Sequence, residues 1–230
     1  MAAKMKKTSP GTRLEVGATV LAGARGADTS AVADRLERFE QAHRVYVAAQ
    51  RKVDAADEQV RAVQTRVAQL DTVANEAIEA LACALAMNGQ PRKTPFDAFG
   101  VPGPGRLTHH SPPHKATAVH QLVGGVLRHK GTTDTTKAAA EALEKAATDL
   151  EEALAPIVKL QATARDARRT RDAIGQKWES ALTTLRRGAL ATSEELYTML
   201  FQPAAKPAKT KAAEEAPTDA PTPSATPNAA

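Results

Sequence analysis

The sequence predicts an all-α protein: a long antiparallel helical hairpin, or coiled coil, with an irregular connection at its tip and a disordered C-terminal tail. Three observations carry that prediction. From Phe39 onward every seventh residue is apolar (Phe39, Tyr46, Val53, Val60, Val67, Ala74, Leu81), and so is the residue three further on (Ala42, Ala49, Ala56, Val63, Leu70, Ala77, Ala84). This is the a/d repeat of a coiled coil. A second run follows, with Leu143, Leu150, Ile157, Ala164, Arg171, Trp178 and Leu185 partnered by Ala146, Ala153, Leu160, Ala167, Ile174, Ala181 and Gly188. Only Arg171 is polar in it. The third observation is composition. Aromatic residues make up 3% of the 230 residues, Ala dominates with Leu, Val, Glu, Lys, Arg and Gln, and strand-like alternation is missing.

Residues 1–27 read as a basic flexible arm, because Gly11, Gly17, Gly23 and Gly26 interrupt any helical stripe. Lys4, Lys6 and Lys7 precede the apolar stretch 16–24 as in an export signal, but Arg13 and Glu15 interrupt the approach and the stretch is short and Gly-rich. The hairpin is assigned to 28–202. Its first helix, 30–88, has N-cap candidates in Asp28-Thr29-Ser30 and a stop at Asn88-Gly89, with Pro91 barring continuation. Its predicted length is roughly 85–90 Å at the α-helical rise.

The connection 89–133 contains six Pro and the run Gly100-Val-Pro-Gly-Pro-Gly105. Two apolar pieces within it, Phe96 with Phe99 and the stretch 118–127, are expected to fold back over the hairpin tip. The second would be a short helix weakened by Gly124-Gly125. The second long helix, 134–190, begins at the N-cap cluster Thr133-Asp134-Thr135. Pro156 lacks an N–H and crowds the preceding turn, so a kink is expected near Glu152–Pro156. A short helix at 193–201 is capped by Thr192-Ser193 and ended by Pro203. The remainder, 203–230, is rich in Ala, Pro, Thr and Lys, has no apolar residue larger than Ala, and reads as disordered.

Antiparallel pairing of the two runs places Val60 opposite Ala162 and Phe39 opposite Thr183. The apolar stripe broadens near the tip (Val73, Ile78, Leu85, Ala147, Leu154) and at the base (Val32, Leu36, Val45, Val47, Leu182, Leu190, Leu196). Between them the flanks are polar. A broad stripe needs a third element to cover it, and the tip connection and the chain termini are the available covers. Arg171, alone at a core position, is expected to pair with Asp54 or Asp57 and fix the register. Strict heptads also pair between chains, so a homo-oligomer is expected.

The formal charge of +5 is unevenly placed. Residues 1–27 hold five Lys/Arg against one Glu, and 89–133 hold six against one Asp, while the long helices are near balance. Anionic partners are therefore considered. The single Cys83 cannot form an internal disulfide and fits a reducing, cytoplasmic setting; its place beside Ala84 reads as a partly buried structural thiol. No apolar run approaches the ~20 residues that span a bilayer.

Five of the six His lie at 109, 110, 114, 120 and 129. No carboxylate or Cys stands among them and no zinc spacing is met, so they read as solvated loop histidines, and neither a metal nor a cofactor is assigned. Arg165, Arg168 and Arg169 are the candidate phosphate contacts, although Asp166 and Asp172 interleave with them. The segment 203–211 resembles, in composition, the Lys/Ala/Pro tails of histone-like basic proteins, but Glu214, Glu215 and Asp219 cancel its charge.

No nucleophile elbow, phosphate-binding Gly loop, His-Glu-x-x-His or EF-hand pattern is present. The expectation is a non-enzymatic coiled-coil scaffold or adaptor for protein–protein interaction. Its contact surface would be the tip, with Phe96, Phe99, Leu122, Val123 and Leu127 as anchors. The alternative is a nucleic-acid-associated basic helical protein using the N-terminal lysines, the connection and Arg165–Arg171. Few aromatics stand beside those cations to stack on bases, which counts against it.

Overall fold

In the computed structural model, which describes residues 8–201, the two heptad runs pair as an antiparallel hairpin. The tail 203–230 and the first seven residues lie outside the described residues. Among those described there is no strand, and no helix is long and apolar enough to cross a membrane.

Helix α1 spans Pro10–Ala24, and after a 3₁₀ turn at Ser30–Val32 helix α2 runs unbroken through Ala33–Met87. Its 55 residues make a rod about 80 Å long. Short α3 (Pro104–Leu107) and α4 (Pro112–Arg128) occupy the connection. The return path is α5 (Asp134–Leu154) and α6 (Ile157–Thr192), followed by α7 (Glu194–Phe201).

Local chemistry sets these boundaries. The Asp28 carboxylate accepts the Ser30 N–H at 3.0 Å, so it starts the 3₁₀ turn and does not cap α2 directly. At the far end Gly89 adopts φ +88°, and the Gln90 N–H returns to the Leu85 carbonyl at 3.0 Å. This left-handed exit suits glycine. Pro156 separates α5 from α6, so the expected kink is a break between two helices. The second of these continues past Gly188 to Thr192. The Ser193 hydroxyl accepts the Leu196 N–H at 3.0 Å and caps α7.

The heptad positions face inward. On α2, Phe39, Tyr46, Val53, Val67, Leu70, Ala74 and Leu81 are buried; on the return path Leu143, Leu150, Ala164, Trp178 and Leu185 are. Trp178 Nε1 donates to His43 Nδ1 at 3.2 Å, Arg168 reaches Asp57 at 2.7 Å, and the Thr136 hydroxyl donates to the Ala84 carbonyl at 3.4 Å. These contacts agree with the predicted register to within one helical turn.

Each broad end of the stripe acquires a lid. At the tip α4 packs on α5, with α3 against α2, closing a core of Ile78, Leu81, Leu85, Phe96, Val101, Leu107, Val119, Leu122, Val123, Val126 and Leu143. The Gly124-Gly125 pair does not end α4. The Phe99 ring lies over Gly125, where an added Cβ would stand 3.1 Å from Phe99 Cδ1. At the base α1 and α7 close a core of Val20, Val32, Phe39, Tyr46, Trp178, Leu185, Leu196 and Leu200. Cover is incomplete, since Val73, Val45 and Leu190 stay exposed.

Helix α1 corrects the expectation of an irregular arm over Pro10–Ala24. The Ser9 hydroxyl accepts the Thr12 N–H at 3.2 Å, and Pro10 occupies the first helical turn. Two of the glycines that seemed to interrupt the helix, Gly17 and Gly23, instead mark its closest approaches. Gly17 faces the His43 ring, and a Cβ on Gly23 would fall on the Met199 carbonyl oxygen. Backbone cannot step aside as a flexible side chain can, so Gly23→Ala is expected to loosen α1 from α7 at a cost of about 1–3 kcal/mol. Hydrogen exchange checks this: amides of α1 should lose about tenfold or more in protection while those of α4 stay unchanged.

Candidate functional site

The tip spends most of its sequence-predicted anchors on its own core. Phe96 and Leu122 are fully buried and Val123 is 2% exposed. Phe99 is half-buried, edge-on to His129 at 5.8 Å between ring centroids. Only Leu127, 44% exposed, reaches solvent as a large apolar side chain. Phe96, Leu122 and Val123 are therefore core residues of the tip and not available as contacts, whereas Phe99 in part and Leu127 remain accessible.

The basic excess of the connection also shrinks. Lys115 is fully buried, and its ammonium donates to Asp71 at 2.7 Å and to the Asn75 side-chain oxygen at 2.6 Å. His120 lies between two carboxylates of α5, with Nδ1 2.8 Å from Glu144 and Nε2 3.3 Å from Glu151. Burial works against a charged His120 ring, but the hydrogen bonds and attraction of Glu144 and Glu151 outweigh it and carry its pKa above the ordinary value. The other histidines disperse. His109 Nδ1 is 2.7 Å from the Gly105 carbonyl, and His114 Nδ1 is 2.8 Å from the Ser111 hydroxyl. Among the described residues no three His, Cys, Asp or Glu side chains converge to hold a metal. Arg92, Lys93, Arg106, Arg128 and Lys130 remain exposed at the tip.

The candidate phosphate residues separate in the same way. Arg168 crosses to Asp57, while Arg169 turns to Asp166 on its own helix at 3.5 Å. Arg171 does not pair with Asp54 or Asp57. Its guanidinium is held by Asp172 at 2.7 Å and donates to Gln50 at 3.3 Å, so the cross-helix ion pair of this region is Arg168–Asp57. Arg165 and Arg168 line an open cleft of about 500 Å³ with Asp57, Val60, Arg61, Gln64, Gln161 and Ala164; Arg169 lies outside it.

At the base, sequence reasoning missed Arg13. It reaches from α1 to Glu179 on α6, with Nη2–Oε1 at 2.6 Å, and lies 5.6 Å from the Tyr46 ring centroid. Gly175 makes room for it, since a Cβ there would stand 2.6 Å from Arg13 Nη1. Burial opposes the charge, but Tyr46 and Glu179 outweigh it and push the Arg13 pKa up. Burial pushes the pKa of His43 down, so its neutral Nδ1 is free to accept from Trp178. The available signal was Ser9-Pro10, a helix start. Cys83, expected to be partly buried, is exposed.

Comparison of the chain with protein-family models, with curated proteins and with solved structures gave no match.

Two predictions follow from the polar fastenings. Asp71→Asn strands the Lys115 charge inside the tip and is expected to cost about 2–3 kcal/mol, whereas Lys115→Met replaces the charge with apolar volume and costs less than about 1 kcal/mol. Urea unfolding distinguishes the two, and equal losses would sink the ion-pair account. The histidines give opposite pH dependences around the unfolded value of about 6.5. The contribution of His43, whose folded pKa is lowered, is complete above that value and is lost as pH falls through it. That of His120, whose folded pKa is raised, is complete below that value and is lost as pH rises through the folded pKa. Exchange protection in α1 should therefore drop between about pH 7 and pH 5, while protection in α4 drops on the alkaline side. His43→Gln should flatten the first trend alone.

Proposed function

We propose that this protein is a non-enzymatic helical scaffold that holds two end surfaces a fixed distance apart for protein–protein interaction. The observation that carries the reading is the division of the hydrophobic core. One lidded core sits at the tip and another at the base. Between them runs a helix pair with no lid, which buries only its own seam: a third cluster of Val67, Leu70, Ala74, Ala146 and Leu150 sits on the tip side, and beyond it Val60 and Val63 are only half-buried. An uncovered two-helix seam buries less apolar surface than the lidded ends, so its length has a use other than stability. The exposed ends then act as contact faces: the cations Arg92, Lys93, Arg106, Arg128 and Lys130 with Leu127 at the tip, and Leu190 and Met199 at the base.

Self-association belongs to the same reading. Val73 and Val158, at 49% and 71% exposure, leave apolar side chains along the rod for a second copy to cover. Size-exclusion chromatography with light scattering reads the copy number.

Removing one heptad from each helix, 58–64 and 161–167, preserves the a/d repeat while shortening the rod by about 10 Å. Scattering should give a longest dimension of at least about 80 Å for the native chain and a shorter one for the variant. Complementation in the cells of origin should fail with the shortened rod. A compact native particle, or full complementation by the folded short variant, would overturn the spacer reading.

A further inference from the structure

We infer that the mid-rod cleft binds a small, multiply charged phosphate-bearing anion. The cleft is formed by two facing helical stripes, each at the i, i+3, i+4, i+7 spacing of one helix face. Helix α2 supplies Asp57, Val60, Arg61 and Gln64, and α6 supplies Gln161, Ala164, Arg165 and Arg168. Half-buried Val60 and buried Ala164 carry no polar atom beyond the backbone and are short, which is why a cleft of about 500 Å³ opens there. That size lies within the ~300–1,000 Å³ of small-molecule sites.

Above this apolar floor the walls are rich in donors. Three guanidiniums stand against one carboxylate, a net charge of +2, with the Gln64 and Gln161 amides beside them. The carboxylate, Asp57, is held by Arg168 at 2.7 Å. Arg61 is engaged by Glu58 on its own helix, an exposed i,i+3 pair of the kind that yields readily to a stronger anion. No carboxylate engages Arg165 among the described residues. Guanidinium forks match phosphate oxygens in pairs, and Arg61 and Arg165 approach from opposite walls, so a ligand with two or more phosphates can bridge the helices.

Along α6 the next arginines, Arg169 and Arg171, are tied to Asp166 and Asp172. A nucleic-acid strand needs a continued basic track, and this face offers a single slot. The cleft also has no lid, since the tip and base covers stop short of it.

The test is calorimetric titration of the full chain with inorganic tripolyphosphate in dilute buffer. One saturable site per chain is expected. Arg165→Ala should weaken binding by about tenfold or more, and Arg165→Lys should recover part of it. Arg169→Ala, outside the cleft, should leave affinity within about twofold. Both residues are exposed, and circular dichroism verifies that each variant keeps its helix content. Absence of saturable binding, or equal losses in Arg165→Ala and Arg169→Ala, would overturn the site. A single-stranded oligonucleotide that binds as tightly as tripolyphosphate would overturn the small-anion assignment.

Discussion

A pair of antiparallel helices can shield only a narrow apolar seam from water, and the rest of this structure follows from that limit. Where the sequence keeps a narrow Ala/Val stripe, two helices suffice. Where it adds Ile78 and Leu85 at one end, or Val32 and Leu36 at the other, a third element has to arrive. Helix α4 serves the tip, and α1 with α7 serves the base. The thickness of the rod therefore reports the width of its apolar stripe.

The two lids are fastened by the same device. Each sends one buried cation into the hairpin: Lys115 to Asp71 at 2.7 Å, and Arg13 to Glu179 at 2.6 Å. Each also has a histidine at its contact, His120 between carboxylates and His43 against Trp178 and Gly17. Such buried pairs add little net stability, because desolvation offsets attraction, but they penalise every seating that leaves the charge unmet. Apolar packing supplies the adhesion, and the ion pair selects one position along the rod.

Much of the fold was legible because a/d periodicity is local. Seven-residue spacing names the buried face of a helix whatever it packs against, and Gly89, Pro156 and Ser193 act on backbone within a few residues of themselves. What depended on distant partners was not legible. Gly17 and Gly23 look like helix breaks until His43 and the Met199 carbonyl are placed opposite them. Lys115 looks like surface charge until Asp71 faces it. Phe96 and Leu122 look like offered contacts until they meet in one core. Of the cleft, Arg165 and Arg168 were visible as a basic cluster, but Arg61 belongs to the other helix and only the register brings it alongside.

The lids also differ in how far apart along the chain their partners stand. Lys115 and Asp71 are separated by 44 residues, whereas Arg13 and Glu179 are separated by 166. Closing the longer loop costs more chain entropy, and it comes cheaply only after the intervening seam has formed. Loop entropy therefore favours assembly from the tip, through zipping of the two long helices, to seating of α1 as its final step. In reverse, α1 is the first element to leave, which exposes Trp178, Tyr46 and Phe39 while the tip is still intact.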